Sequence, residues 1–151
     1  MLDLRPAKMS DADRLLKWAN DPVARAWSKS ATPITSDDHD RWMQFNVLMG
    51  YPQHIVMIAE TEDGPVGVVR FDAKKRDVLS YTVSINMDPN YRGNGLGYAV
   101  LAEACRMMQE NTLLAEMRYE NAASINIFER CGFRLVGDDG AFVQYKREPQ
   151  E

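Results

Sequence analysis

The stretch that most restricts how this chain can fold runs from Leu79 to Met108. Leu79, Tyr81, Val83, Ile85 and Met87 alternate with Ser80, Thr82, Ser84 and Asn86, the period-two pattern of a half-buried strand. Asp88-Pro89 interrupts it. Arg92-Gly93-Asn94-Gly95-Leu96-Gly97 then supplies a basic loop with three glycines in five positions, after which Leu101, Ala104, Cys105 and Met108 fall on one helical stripe. A strand that empties through such a loop straight into a helix makes an anion site. Glycines let the backbone approach a ligand closely, and the unpaired amides of the helix start favour phosphate oxygens.

The placement of the glycines narrows the ligand. A Walker loop ends in Gly-Lys-Ser/Thr, whereas Gly97 is followed by Tyr98-Ala99. In a dinucleotide fingerprint Gly93 and Gly95 could be the first two glycines and Glu116 the distant ribose ligand, but Tyr98 stands at the third glycine position. Five residues, Asp88 to Arg92, also separate strand from first glycine, where that motif has almost none. What remains is Arg-x-x-Gly-x-Gly on Arg92, Gly95 and Gly97. This resembles the acetyl-CoA pyrophosphate loop of the GNAT superfamily of N-acetyltransferases.

A second segment resembles the same family. Asn121-Ala122-Ala123-Ser124-Ile125-Asn126-Ile127-Phe128-Glu129-Arg130-Cys131-Gly132-Phe133 is similar to its Asn-x-x-Ser-x-x-x-(Tyr or Phe)-x-x-x-Gly-Phe signature. Local physics agrees: Asn121 can cap a helix, Ile125 and Phe128 share a face, and Gly132 suits the left-handed residue that ends it. The resemblance covers nearly the whole chain. It implies that Ile85 and Met87 offer backbone groups to the pantetheine arm of acetyl-CoA and that Arg92, Gly93, Asn94, Gly95, Leu96 and Gly97 wrap its pyrophosphate. It further implies cofactor contacts from Asn121, Asn126 and the Phe128 position.

The remaining elements follow from periodicity and turn chemistry. Leu2 to Ala7 reads as a strand, Ser10 or Asp11 starts a helix reaching about Asn20, and Asp21-Pro22 opens a short helix through Trp27. Ser36-Asp37-Asp38 caps a helix with Trp42, Phe45 and Leu48 on its apolar side. His54–Ala59 is a nearly all-apolar central strand, Asp63-Gly64 a hairpin turn, and Val66–Phe71 the return. Leu113–Arg118 is a strand, Ala122–Arg130 a helix, and Phe133–Val136 with Phe142–Tyr145 close a hairpin around Asp138-Asp139-Gly140. This order predicts an α+β fold with a mixed, mostly antiparallel sheet of six or seven strands and about four helices. The family resemblance adds that strands four and five splay apart and that residues 1–151 form a single acetyltransferase domain.

At 151 residues with 45% apolar side chains, the chain has the mass for one well-formed core. A formal charge of -4 argues against a nucleic-acid partner, and Lys74-Lys75-Arg76 reads as a solvated hairpin tip. No secretory pattern or membrane-length apolar run occurs, so a cytoplasmic protein without a membrane partner is expected. Cys105 and Cys131 lie at apolar helical positions and read as free thiols. His39 and His54 form no metal cluster with them, so no metal is expected.

An amine attacking a thioester needs a deprotonated nitrogen, a donor for the developing oxyanion and a fate for the leaving thiolate. Glu116, a charge inside the otherwise apolar run Leu114-Ala115, is the favoured base; the alternative is that it faces solvent or pairs with Arg118. Glu60, beside the Thr61-Glu62-Asp63-Gly64 turn, is more simply an exposed residue. The resemblance assigns the oxyanion to a backbone amide near Met87. Phe128 departs from the many relatives with a tyrosine there, which removes a proton source for the coenzyme sulfur; Tyr119 is a substitute to consider.

Trp18-Ala19-Asn20-Asp21-Pro22, Arg25, Ser28, Ile34 and His39-Asp40-Arg41-Trp42 resemble a branch that includes acetyltransferases of nucleotide-linked 4-amino sugars and ribosomal-protein N-terminal acetyltransferases. Under the sugar reading Arg25 and His39 hold nucleotide phosphates and Trp42 walls the pocket, although both tryptophans equally suit a core. The expected partner is a small-molecule amine acceptor, a nucleotide sugar by preference, with a protein or peptide α-amine as runner-up and a noncatalytic acyl-CoA sensor as the reading of another class. The protein is expected to act as a monomer or homodimer.

Overall fold

The computed structural model describes residues 1–74 and 77–150, so the expected basic hairpin tip at Lys75-Arg76 lies outside the described residues. Seven strands form one sheet: β1 (Asp3–Pro6), β2 (His54–Thr61), β3 (Gly64–Lys74), β4 (Asp77–Met87), β5 (Thr112–Arg118), β6 (Arg134–Asp138) and β7 (Phe142–Arg147). Their spatial order is β1-β2-β3-β4-β5-β7-β6, and every neighbouring pair is antiparallel except β4 and β5. Among the described residues there are five helices, α1 (Ala12–Ala19), α2 (Pro22–Trp27), α3 (Ser36–Met43), α4 (Leu96–Met107) and α5 (Ala122–Arg130), of which α2 contributes no buried residue. None is long and apolar enough to cross a membrane. The expected α+β architecture is observed.

Alternation assigns the two sheet faces. Val69, Phe71, Tyr81, Val83, Met87, Leu113, Ala115 and Met117 point to one side and pack with Val100, Leu101 and Ala104 of α4 and Phe128 of α5. Val56, Ile58 and Val68 point to the other, where Leu15 and Trp18 of α1 and Met43 of α3 cover them. Trp18 is therefore a core residue, 3% exposed.

One helix face differs from its expected composition. Phe45 and Leu48 are 62% and 60% exposed, while Met43 is 1% exposed. The cause is a π turn over Gln44–Leu48, closed by Met49 N–H donating to Gln44 O at 3.0 Å. The wider turn rotates later residues off the stripe that a regular helix would continue.

The first strand is locked to α1 by a buried ion pair. Arg5 Nη1 and Nη2 each donate to Asp11 at 2.9 Å, Lys8 N–H donates to the same carboxylate at 2.8 Å, and Asp11 is 2% exposed. Arg5 also donates through Nε to Glu60 at 2.7 Å, which ties Glu60 into the β1–β2 pairing. The hydrogen bonds from Arg5 hold the Asp11 carboxyl below the usual range. Asp11→Ala leaves Arg5 short of its main partner and is expected to cost about 3 kcal/mol in urea unfolding. Because the folded-state pKa is depressed, Asp11 stabilises the fold above its unfolded value of about 3.9 and loses that contribution as pH falls through the folded value. The variant should show a correspondingly shallower acid destabilisation.

Candidate active site

The site begins where the two halves of the sheet part. β4 and β5 pair only at Ser80 with Thr112, Tyr81 with Leu113 and Thr82 with Leu114. Beyond Thr82, β4 stays with β3 as far as Met87, and β5 stays with β7 as far as Arg118. The two strands thus separate into a V. On the β4 side, Asp88 N–H donates to Val66 O at 2.8 Å. The unshifted register makes Asn86–Val68 and Ser84–Arg70 the hydrogen-bonded pairs, so the backbone groups of Met87 and Ile85 turn away from β3 into the gap. Met87 O accepts from Arg92 Nε at 3.1 Å, and its side chain lies in the core at 8% exposure.

The glycine loop caps the V. Gly93 and Gly95 adopt φ of +80° and +82°, a left-handed conformation that only glycine takes without strain, and open space surrounds both. Gly95 is the N-cap of α4, whose first amides lack intrahelical partners. Leu96 N–H is met only by the exposed Asn94 side chain at 3.1 Å. Gly97 serves packing instead: a Cβ there would stand 3.3 Å from Ile127 Cδ1 and 3.7 Å from Met87 Cγ. Together the exposed loop, the helix start and the strand edge suit a ligand that carries phosphates at one end and amides along its length.

Arg92 itself does not reach outward. Besides Met87 O, its guanidinium donates to Asp21 Oδ2 at 2.8 Å and Asn86 Oδ1 at 3.3 Å. Asp21 in turn caps α2 by accepting from Ala24 N–H at 3.1 Å. Trp18 Nε1 donates to Asp88 at 2.8 Å and Asn86 Nδ2 donates to Trp18 O at 2.9 Å. The arginine thereby fastens the α1–α2 corner to the end of β4, and what the glycine loop offers to a ligand is its backbone. On α5, Asn121 caps the helix by accepting from Ser124 N–H at 3.2 Å, and Asn126 is exposed. Phe128 is 2% exposed and meets Phe133 edge to face at 5.0 Å. Tyr119 is 55% exposed just beyond β5.

The opposite face of the sheet holds the polar groups. Glu116 sits two residues past the last β4–β5 pair, level with Ser84. Its Oε1 is 2.6 Å from Lys29 Nζ and its Oε2 accepts from Gln144 Nε2 at 2.9 Å. Lys29, then Gln144, hold its carboxyl below the usual range, and Glu116 raises the Lys29 ammonium in return. The expected alternative partner, Arg118, instead donates to Ser28 O at 2.9 Å. Lys29 and Arg118 both lie over the Phe142 ring, at 5.4 and 4.9 Å. These contacts strap the loop after α2 across the mouth of the V.

The residues expected to hold an anionic acceptor are placed otherwise. Arg25 donates to Ala19 O at 2.7 Å, to Ser28 Oγ at 3.2 Å and to Ser30 O at 3.3 Å, so it staples its own loop. His39 is 4% exposed, with Nε2 2.8 Å from Ala12 O. Trp42, stacked on His39 at 5.7 Å, is half-buried and lies 5.2 Å from the Arg70 guanidinium. Arg70 belongs to a cluster that sequence reading passed over: its Nη2 donates to Asp72 at 3.0 Å, and His54 Nδ1 lies 2.8 Å from the same carboxylate. The available signal was a charge inside the apolar run Val66–Phe71, the same kind of signal that drew attention to Glu116.

A sheet parted between its one parallel pair, with a glycine loop feeding a helix at the parting, defines an acyl-coenzyme-A transferase class of fold. A family model described as "Acetyltransferase (GNAT) domain" matches residues 1–134. The chain therefore belongs to the GNAT acetyltransferase family, enzymes whose acetyl donor is acetyl-CoA. It is 29% identical over 109 residues to an L-methionine sulfoximine/L-methionine sulfone acetyltransferase of Salmonella typhimurium, covering 68% of this chain and 62% of that protein, less than two thirds of its length. The same kind of enzyme from Pseudomonas aeruginosa is 28% identical over 144 residues, covering 89% and 81%. A crystal structure assigned as a phosphinothricin N-acetyltransferase superposes with a TM-score of 0.83 at 25% identity over all of both chains.

Arg92→Ala should weaken the fold more than a surface substitution does. It leaves the Asp21 carboxylate, 13% exposed on its side chain, without its charged partner. A loss of about 1–3 kcal/mol in urea unfolding is expected.

Proposed function

We propose that the chain transfers the acetyl group of acetyl-CoA directly to the primary amine of a small, amino-acid-like molecule. The observation that carries this reading is Ser84. It lies on a central strand of a seven-stranded sheet, between Arg70 on β3 and the level of Glu116 on β5, yet it is exposed. Helices α1 and α3 cover the neighbouring Ile58 and Val68 and stop short of it. A bare, polar floor at the throat of a V is room for an acceptor beside the thioester. The similarity to methionine sulfoximine, methionine sulfone and phosphinothricin acetyltransferases supports an acceptor of that size. A nucleotide sugar finds less support, since Arg25 and His39 are engaged within the fold.

In this reading the donor, which supplies an activated acyl group, rests its phosphates on the amides from Gly93 to Gly97 and its amide arm along Ile85 and Met87. The Met87 amide faces the gap and serves as the oxyanion donor. Asn121 and Asn126 flank the arm from α5, and Phe128 bounds it as an apolar wall. The acceptor arrives as an ammonium, with a pKa near ~10 for alkyl amines. Glu116 receives it and relays one proton to solvent as nitrogen attacks, and the second proton follows by the same route as the tetrahedral adduct collapses to the amide. The C–N bond forms, the C–S bond breaks, and the coenzyme leaves as a thiolate whose pKa is near ~8.5. Trp42 walls the acceptor side.

Thiol release from acetyl-CoA in the presence of amino acids, amino sugars, polyamines and peptides tests the proposal. Release with small amino acids is the expected result. Glu116→Gln should lower kcat/KM by about 10²-fold, the usual scale for a proton-handling group. Silence with every amine alongside intact coenzyme A binding in calorimetry would identify a binding module instead.

A further inference from the structure

The polar residues around Ser84 are arranged by charge. Cross-strand partners share a face, so Val56, Arg70 and Ser84 form one row across β2, β3 and β4, which Glu116 continues on β5. Val56 is buried, Ser84 is bare, and a cation and an anion stand on either side of it. Adjacent strands lie about 4.8 Å apart, so the Arg70 and Glu116 backbones are roughly 10 Å apart or somewhat more where the strands splay. That is a span two long side chains can close over one small molecule.

Each end carries its own mark of a ligand. At Glu116 the ammonium of Lys29 is already in place, 2.6 Å from Oε1, with Gln144 fixing the other oxygen. Lys29 is 71% exposed on its side chain, and ion pairs of that kind are weak because water screens them, so another ammonium can displace it. At the far end Arg70 is held rigid by Asp72 and by the Trp42 ring, and Asp72 is itself shared with His54. Arg70 Nε is buried without a hydrogen-bond partner, and 36% of the side chain remains exposed. A planar guanidinium fixed in this way matches a carboxylate better than a lysine would.

We propose that the acceptor site is two-ended: Glu116, now holding Lys29 as a stand-in, takes the acceptor's amine, and Arg70 takes a carboxylate of the same molecule. This rests on the acetyl-transfer reading above and narrows its acceptor to zwitterions. Lys29 then acts as an internal competitor that leaves when substrate arrives, and the loop after α2 shifts with it.

The test compares kcat/KM for α-amino acids, for the same amino acids as carboxamides, and for phosphoethanolamine. The wild-type protein is expected to prefer acid over amide at least tenfold. Arg70→Gln should collapse that ratio toward one, with Arg70→Lys intermediate, and thermal melts confirm that each variant folds. Calorimetric titration of the amino acid, without acetyl-CoA, should show its heat weakened in Arg70→Gln. Lys29→Met should lower KM for the amino acid several-fold at low salt, with the difference shrinking at high salt. Equal turnover of acids and amides, an unchanged ratio in Arg70→Gln, or an unchanged or raised KM in Lys29→Met overturns the proposal while leaving acetyl transfer standing. Preference for phosphoethanolamine overturns the carboxylate assignment. Failure of every amine, by contrast, removes the acetyl-transfer reading itself.

Discussion

The three-residue ladder between β4 and β5 is the constraint on which the rest depends. Beyond the ladder each strand is paired on its outer side, β4 with β3 as far as Met87 and β5 with β7 as far as Arg118, so neither needs its inner neighbour to persist there. Had the ladder continued, Ile85 and Met87 would have met β5 and no ligand could reach their amides. Because it stops at Thr82, a strand edge is exposed inside the molecule, and such an edge seeks a hydrogen-bonding partner. The same parting exposes Ser84 and Glu116 on the other face. One interruption therefore opens both the groove proposed for the donor and the floor proposed for the acceptor.

Holding that gap in shape requires contacts across it. Arg92 ties the α1–α2 corner to the end of β4, and Lys29 with Arg118 ties the next loop to β5 and β7. The two latches differ in strength for a physical reason. Asp21 is mostly shielded from water, whereas Lys29 is largely exposed. Screening by solvent makes the second pair the weaker, so the loop held by Lys29 opens more readily than the glycine loop distorts.

Much of this was legible in the chain. Alternation marked β4, glycine spacing marked the loop and the start of α4, and turn chemistry gave the element order, since all of these are local. The direction of the Arg92 side chain was not, because its partner Asp21 lies 71 residues away and only the folded α1–α2 corner brings it near. Arg25 and His39 misled for the same reason: residue type suggested an anion, while neighbouring carbonyls at Ala19 and Ala12 claimed their donors. Phe45 and Leu48 were displaced by a π turn, which leaves no mark in a period of 3.6. The Arg70, Asp72 and His54 cluster was visible only as charges in two apolar strands until the register set Arg70 beside Ser84 and His54 beside Asp72.

Phe128 and the charged groups lie on opposite sides of the sheet. Buried against Phe133, a phenyl ring needs no hydrogen-bond partner, whereas a hydroxyl there would have to find one. Giving up that hydroxyl costs little chemically. A coenzyme thiol with a pKa near ~8.5 leaves as a tolerable anion at neutral pH, but an alkyl ammonium with a pKa near ~10 is almost entirely protonated and cannot attack. The harder proton is the one on the acceptor. Glu116, Lys29, Arg118, Arg70 and Asp72 all lie on one face, which in the proposed reading is where that proton is held and released, while the face around Phe128, Met87 and Ile125 is apolar.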